Sequence, residues 1–268
     1  VVFSLSFIQL FIDMRFRLSL HIDKLAFGDK LPLSYTYELC SVVYKILSKS
    51  DKEFAVWLHE NGFCSGNKKF KLFTFSRLHV PSFRIEGEFM HILSDTVEWQ
   101  ISFLPERSTQ EFVRGVFQNQ TFEVGTRKAN VRFHVREISV MPLPIFTETM
   151  EFETLSPICI SFRGKNGKVD YLSPDNPEAL PLIRQNLFNK YFAFHGKEYD
   201  SEFDFNFEVL SKPKSVLVTI KSGTPQQTRV RGFMCRFKMT APLELMKVAY
   251  DAGVGEKGST GFGMIKSI

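Results

Sequence analysis

The chain of 268 residues is long enough for one large domain or two small ones, each with its own core. Apolar residues make up 44% and charged residues 24%, which excludes a mainly disordered, collagen-like or coiled-coil chain. The formal charge of +5 suits a polyanion partner without demanding one, and the 29 Phe against 7 Tyr and 2 Trp read first as core filling.

Val1 to Ile12 is apolar with no Lys or Arg and lacks the basic start and small-residue cleavage site of a secretory signal. The reading expects translation to start at Met14, with residues 1–13 an upstream extension; an intact mass that includes them would refute this. Phe16 to Ile22 alternates as a half-buried strand does. Pro32 closes the following loop. Tyr35 to Ser48 carries Leu39, Cys40, Val43, Ile46 and Leu47 on one helical stripe, and Ser50-Asp51 caps a shorter helix to Glu60, ended by Asn61-Gly62. Strands are predicted at Phe70 to Ser76, Ser82 to Phe89 and Val97 to Leu104, a helix at Thr109 to Gln118, and strands at Thr121 to Val124 and Ala129 to Val140. Met141 to Phe146, with Pro142 and Pro144, reads as a linker.

The second half repeats the theme. Glu148 to Phe162 reads as extended, Gly164 to Gly167 as a turn and Asn176 to Phe192 as a helix. Strands are expected at Phe203 to Leu210, Ser215 to Ile220 and Val230 to Met239, then a helix at Leu243 to Ala252 and a last strand at Gly263 to Ile268. Two halves of mixed strands and helices suggest two small α+β units. No apolar run reaches the ~20 residues of a membrane span. Cys40, Cys64, Cys159 and Cys235 have no metal-ligand spacing and read as reduced thiols of a cytoplasmic protein.

The most specific signal is the segment Gly253 to Gly263, with glycines at Gly253, Gly255, Gly258, Gly261 and Gly263 and a charge at Lys257. Glycine admits positive φ and close backbone approach, so consecutive N–H groups can cradle a phosphate. A Walker loop needs Gly-Lys-Ser/Thr opening a helix after a strand, but Lys257 is followed by Gly258 and the order is helix then strand. Gly253, Gly255 and Gly258 match a dinucleotide fingerprint in spacing but not in context. A plain structural turn is the remaining reading.

This segment resembles the C-terminal glycine-rich signature of the CRISPR-associated endoribonucleases that process precursor crRNA, in the repeat-associated (RAMP) superfamily. Met14-Arg-Phe-Arg-Leu resembles that family's first strand, Thr154-Leu155-Ser156-Pro157-Ile158 the opening of its second half, and Lys247 to Gly253 the helix entering the glycine loop. The likeness runs from Met14 to Ile268. It implies an α+β fold of two tandem ferredoxin-like (RRM-like) domains with antiparallel sheets, at 14–146 with the catalytic residues and 147–268 with the glycine loop. It also implies cleavage with no metal or other cofactor: a 2′-hydroxyl attacks the adjacent phosphate and leaves 2′,3′-cyclic phosphate and 5′-hydroxyl ends.

Such chemistry needs proton transfer and positive charge on the transition state, and histidine suits proton transfer near neutrality. On a helical wheel His59 lies roughly 140° from Phe54, off the apolar face, which weakens the reading of a core histidine; an ordinary surface histidine is the competing reading. Leu58-His59-Glu60 matches the family's histidine context. Tyr44, in Val43-Tyr44-Lys45-Ile46, matches its tyrosine and otherwise reads as a core-edge aromatic. Lys71 stands where the family's third residue does and otherwise reads as a solvated strand-start lysine. The resemblance assigns proton transfer to His59, transition-state charge to Lys71, and positioning or proton transfer to Tyr44.

RNA-binding candidates are Gly253, Gly255, Lys257, Gly258, Gly261, Phe262 and Gly263, together with Lys69, Arg229, Arg231 and Arg132. Arg132, His134 and Arg136 share one strand face, as do Arg229 and Arg231; a solvated sheet face is the competing reading of each. The partners implied are CRISPR repeat RNA and other effector-complex subunits, with no membrane, and a monomer or homodimer. The alternatives are a non-catalytic repeat-RNA-binding scaffold of a CRISPR ribonucleoprotein and a nucleotide-binding α/β enzyme built on the glycine loop.

Overall fold

A computed structural model of the chain describes residues 15–126, 128–164, 167–199, 202–222 and 224–268. The expected start at Met14 and the extension over 1–13 lie outside these residues, as do 165 and 166 of the expected turn. In β1 (Arg15–Ile22) the alternation buries Phe16, Leu18, Leu20 and Ile22. After β2 (Lys30–Pro32) come α1 (Thr36–Ser50) and α2 (Lys52–Glu60). Asp51 caps α2, its carboxylate accepting from the Phe54 N–H at 2.9 Å. Then follow β3 (Phe63–Ser65), β4 (Lys68–Phe70), β5 (Phe73–Phe75), β6 (Phe83–Glu86), β7 (Phe89–Ile92), β8 (Thr96–Phe103), α3 (Glu106–Gln118), β9 (Thr121–Thr126) and β10 (Ala129–Met141).

The main sheet runs β5-β8-β1-β10-β9, with antiparallel neighbours throughout. The helices α1 and α2 join β1 to β5, and α3 joins β8 to the β9–β10 hairpin. Leaving β9 aside as an added edge, this is a βαββαβ unit, the ferredoxin-like arrangement. The second half repeats it with β11 (Thr149–Thr154), α4 (Ala179–His195), β14 (Asn206–Val209), β17 (Arg236–Thr240), α5 (Leu243–Ala252) and β18 (Ile265–Ser267) in the order β14-β17-β11-β18. Two hairpins are inserted, β12 (Ser161–Arg163) with β13 (Val169–Tyr171), and β15 (Lys214–Ile220) with β16 (Thr228–Met234). No described helix is long and apolar enough to cross a membrane.

Several elements differ from the sequence expectation for physical reasons. The strand expected over Phe70 to Ser76 breaks at Leu72, whose φ of 54° turns the chain from β4, paired with β3, to β5, paired with β8. Ser82 to Phe89 is a hairpin: Gly87 at φ 57° reverses β6 onto β7. Val230 to Met239 divides at Cys235, because β16 pairs with β15 while β17 enters the second main sheet. Glu148 to Phe162 likewise splits between β11 and β12. The two later helices begin at Glu106 and Ala179 rather than at Thr109 and Asn176.

The halves meet on the face of the first sheet opposite α1 and α3, where α5 packs against β5 and β8. Thr74, Ser102 and Arg15 are cross-strand neighbours on β5, β8 and β1, and all three are buried. The Thr74 hydroxyl donates to the Phe262 carbonyl at 2.8 Å and Ser102 to the Asp251 carboxylate at 2.9 Å. Arg15 donates to the Ile265 carbonyl and, at 2.6 Å, to that of Tyr250, with its guanidinium 3.7 Å from the centre of the Tyr250 ring.

Candidate active site

Three elements of the first half bring Tyr44, His59 and Lys71 together. Tyr44 rises from the middle of α1 and His59 from the last turn of α2, with ring centroids 4.9 Å apart and an interplanar angle of 85°. Tyr44 also meets Phe73 edge to face at 5.9 Å. Lys71 stands in the two-residue link between β4 and β5, not at a strand start, and its ammonium donates to the His59 carbonyl at 2.7 Å. Lys69 donates to the Glu60 carbonyl at 3.0 Å. Both lysines therefore occupy the negative end of α2. Gly62, at φ 63°, makes room: a Cβ there would overlap the Phe70 carbonyl and lie 3.2 Å from the Lys71 ammonium.

The electrostatics separate the roles. Burial, with the Cys40 thiol as a lesser cause, pushes the Tyr44 hydroxyl well above its ordinary range, so it stays a neutral donor. Partial burial and the charge of Lys69 hold the Lys71 ammonium below the usual lysine range. His59 is exposed.

The glycine loop wraps around interior backbone rather than standing free in solvent. A Cβ at Gly255 would sit 2.5 Å from the Cys159 carbonyl, and one at Gly258 2.9 Å from that of Phe73. One at Gly261 would overlap Thr36, and one at Gly263 the Val254 carbonyl, while at Gly253 it would meet Thr74 at 3.2 Å. Phe262 is fully buried, its ring against Gly232. Lys257 is the loop's exposed member and holds φ 62°, a conformation that favours glycine. Beneath the loop the buried Lys190 donates to the carbonyls of Ala252, Gly253 and Gly255 at 3.2, 2.5 and 2.8 Å.

A cleft of about 340 Å³ joins the two halves beside this loop. Lys68, Lys69, Lys71 and Lys257 line it, with Gly258, Ser259, Asn186 and Lys190. Its carboxylate, Glu256, is engaged by the Ser161 hydroxyl at 2.5 Å. The balance is positive, as a phosphate groove requires. Arg229, Arg231 and Arg132 lie outside this lining. The first two are exposed on β16, with Arg231 donating to the Ser215 hydroxyl at 2.8 Å. Arg132 is bound to Glu123 at 2.7 Å and lies 3.5 Å over the Phe27 ring. His134 is 3.8 Å from Asp23, and Arg136 is the extra residue of a bulge opposite Ser19 and Leu20.

Asn186, Lys190 and the seam residues Arg15, Thr74 and Ser102 were not legible as site residues. The available signal was Asn186 and Lys190 four residues apart, polar positions beside the apolar Ile183 and Leu187 of one helix.

Residues 30–139 match the family model of CRISPR-associated protein Cas6, N-terminal, and residues 141–267 that of CRISPR associated protein Cas6, C-terminal. The chain belongs to the Cas6 family. It is 29% identical to CRISPR-associated endoribonuclease Cas6 1 of Methanocaldococcus jannaschii, over 96% of this chain and 93% of that protein. To the CRISPR-associated endoribonuclease Cas6 of Pyrococcus furiosus it is 28% identical, over 94% and 89%. The solved structure of a Cas6-related gene product from Pyrococcus furiosus superposes with a TM-score of 0.81 at 26% identity, covering 96% of this chain and 98% of that one. The tandem ferredoxin-like architecture is thus a Cas6 architecture.

Proposed function

We propose that Tyr44, His59 and Lys71 are the catalytic residues of this protein, a CRISPR-associated endoribonuclease that cuts repeat RNA, and that the cut needs no metal. The observation that carries the assignment is their convergence from α1, α2 and the β4–β5 link. The His59 imidazole takes the proton of a 2′-hydroxyl as its oxygen bonds to phosphorus. The bond from phosphorus to the 5′-oxygen breaks, and that oxygen takes a proton from the Lys71 ammonium, which also balances the negative charge on the phosphorane. The Tyr44 hydroxyl, kept protonated by burial, donates a hydrogen bond that orients the reacting phosphate. Lys69, Lys257 and the N–H groups around Gly258 hold the flanking phosphates, which contributes affinity and salt dependence but no sequence reading. Arg229 and Arg231 extend the basic surface along β16.

The test is cleavage of the host's repeat RNA by purified protein in EDTA, beside His59→Ala. A single cut leaving a cyclic phosphate, slowed about 10²–10⁴-fold in the variant, supports the assignment. Loss of cutting in EDTA overturns the metal-free mechanism, and full cutting by the variant overturns the role of His59. Tight binding without a cut by either protein supports the scaffold alternative.

A further inference from the structure

The helix α4 sends two polar side chains, one turn apart, toward the cleft between the halves. Lys190 has three N–H donors, and the carbonyls of Ala252, Gly253 and Gly255 take all three. Asn186 is 7% exposed and lines the cleft, yet its side-chain oxygen is buried with no hydrogen-bond partner among the described residues. Nearby cations do not serve it: Lys69 and Lys71 are turned onto the end of α2. A buried acceptor left without a donor costs stability, so its retention in a positively lined cleft points to a ligand that brings the donor. The cleft volume of about 340 Å³ falls in the ~300–1,000 Å³ range of small-ligand sites.

We infer that Asn186 contacts one nucleotide of the RNA beside the scissile phosphate, its carboxamide oxygen accepting a hydrogen bond from a base N–H or a ribose 2′-hydroxyl. The inference rests on the RNA-cutting reading above and adds a residue that reads the nucleotide rather than its phosphate. Lys71 places the cleft next to the reacting group, and Gly258 and Ser259 also line it. The Asn186 side chain is then a binding group that the free protein carries at a cost.

The test uses Asn186→Leu, an apolar replacement of similar size, and measures melting temperature, KM and kcat with the repeat RNA. The expected result is an equal or higher melting temperature, a KM raised about tenfold and an unchanged kcat. A purely structural asparagine gives the opposite pattern, a lower melting temperature with KM unchanged, and that result overturns the inference. A second arm uses wild-type protein with repeat RNAs carrying single 2′-deoxy positions, or bases lacking one amino group, around the cut. One modification raises the wild-type KM and has no further effect in Asn186→Leu, which identifies the donor as ribose or base. If every modification costs the variant as much as the wild type, Asn186 does not touch the RNA and the inference falls. Wild-type protein that cuts the repeat while Asn186→Leu is indistinguishable from it overturns this inference alone; wild-type protein that neither binds nor cuts overturns the function beneath it as well.

Discussion

Replacing Gly261 with alanine separates the packing role of the glycine loop from its role toward RNA. Gly261 holds φ 85°, where an L side chain costs roughly 1–2 kcal/mol. The new Cβ would overlap the Thr36 methyl and lie 2.7 Å from the Phe75 ring. Thr36 is 7% exposed and Phe75 fully buried, so neither has room to yield, and overpacking adds roughly 1–3 kcal/mol. The sum, about 2–5 kcal/mol, lowers the melting temperature by roughly 4–20 °C at ~2–4 °C per kcal/mol. The assay is thermal or urea unfolding beside repeat-RNA binding at a temperature where both proteins are folded. Gly261→Ala should be clearly less stable and, where folded, bind RNA within a few-fold of wild type. A variant as stable as wild type that no longer binds RNA refutes the reasoning, because the glycine would then serve the approach of RNA rather than of Thr36 and Phe75.

Lys190→Met orphans up to three carbonyls, at roughly 1–3 kcal/mol each, partly offset because no charge is buried. Burial holds the Lys190 ammonium down at about 7, against 10.5 ordinarily. Between those values the unfolded chain binds more protons, so this group makes stability rise with pH, by at most ~1.4 kcal/mol per pH unit; the stability difference between wild type and Lys190→Met, followed by urea melts from pH 7 to 10, should grow, and a flat difference refutes the burial of the charge. Lys257→Gly relieves a positive φ while removing one phosphate partner: urea melts should show equal or higher stability, and RNA titrations a salt slope reduced by about one. Arg132→Ala breaks a half-exposed pair with Glu123, so unfolding should change by less than ~1 kcal/mol, and repeat-RNA affinity by little because Arg132 lies outside the cleft.

Local rules carried much of the fold in the sequence. The alternation of β1, the stripe of α1 and the Asp51 cap of α2 each follow from neighbours a few residues apart, and all appear where expected. What escaped depends on distant partners. Nothing near Leu72 or Cys235 in sequence says that one strand must stop and serve two different sheets. The catalytic candidates were reachable only through family likeness, because a tyrosine on one helix and a histidine on the next give no local sign that they meet at 4.9 Å. The glycines were legible as a special loop, but the atoms that exclude a side chain at each, such as Thr36 at Gly261 and Phe73 at Gly258, lie far away in sequence.

The buried row of Thr74, Ser102 and Arg15 has a consequence for how the protein is made. Synthesis releases the first half early, yet the groups that satisfy this row belong to Tyr250, Asp251, Phe262 and Ile265. Until those residues emerge, the strand that follows Lys71 presents unpaired polar groups to water and the cleft between the halves is unformed. A nascent chain therefore completes this seam only after residues 250–265 have emerged. A chain interrupted before Tyr250 would leave Thr74, Ser102 and Arg15 without the groups that satisfy them and would lack the glycine-loop side of the cleft.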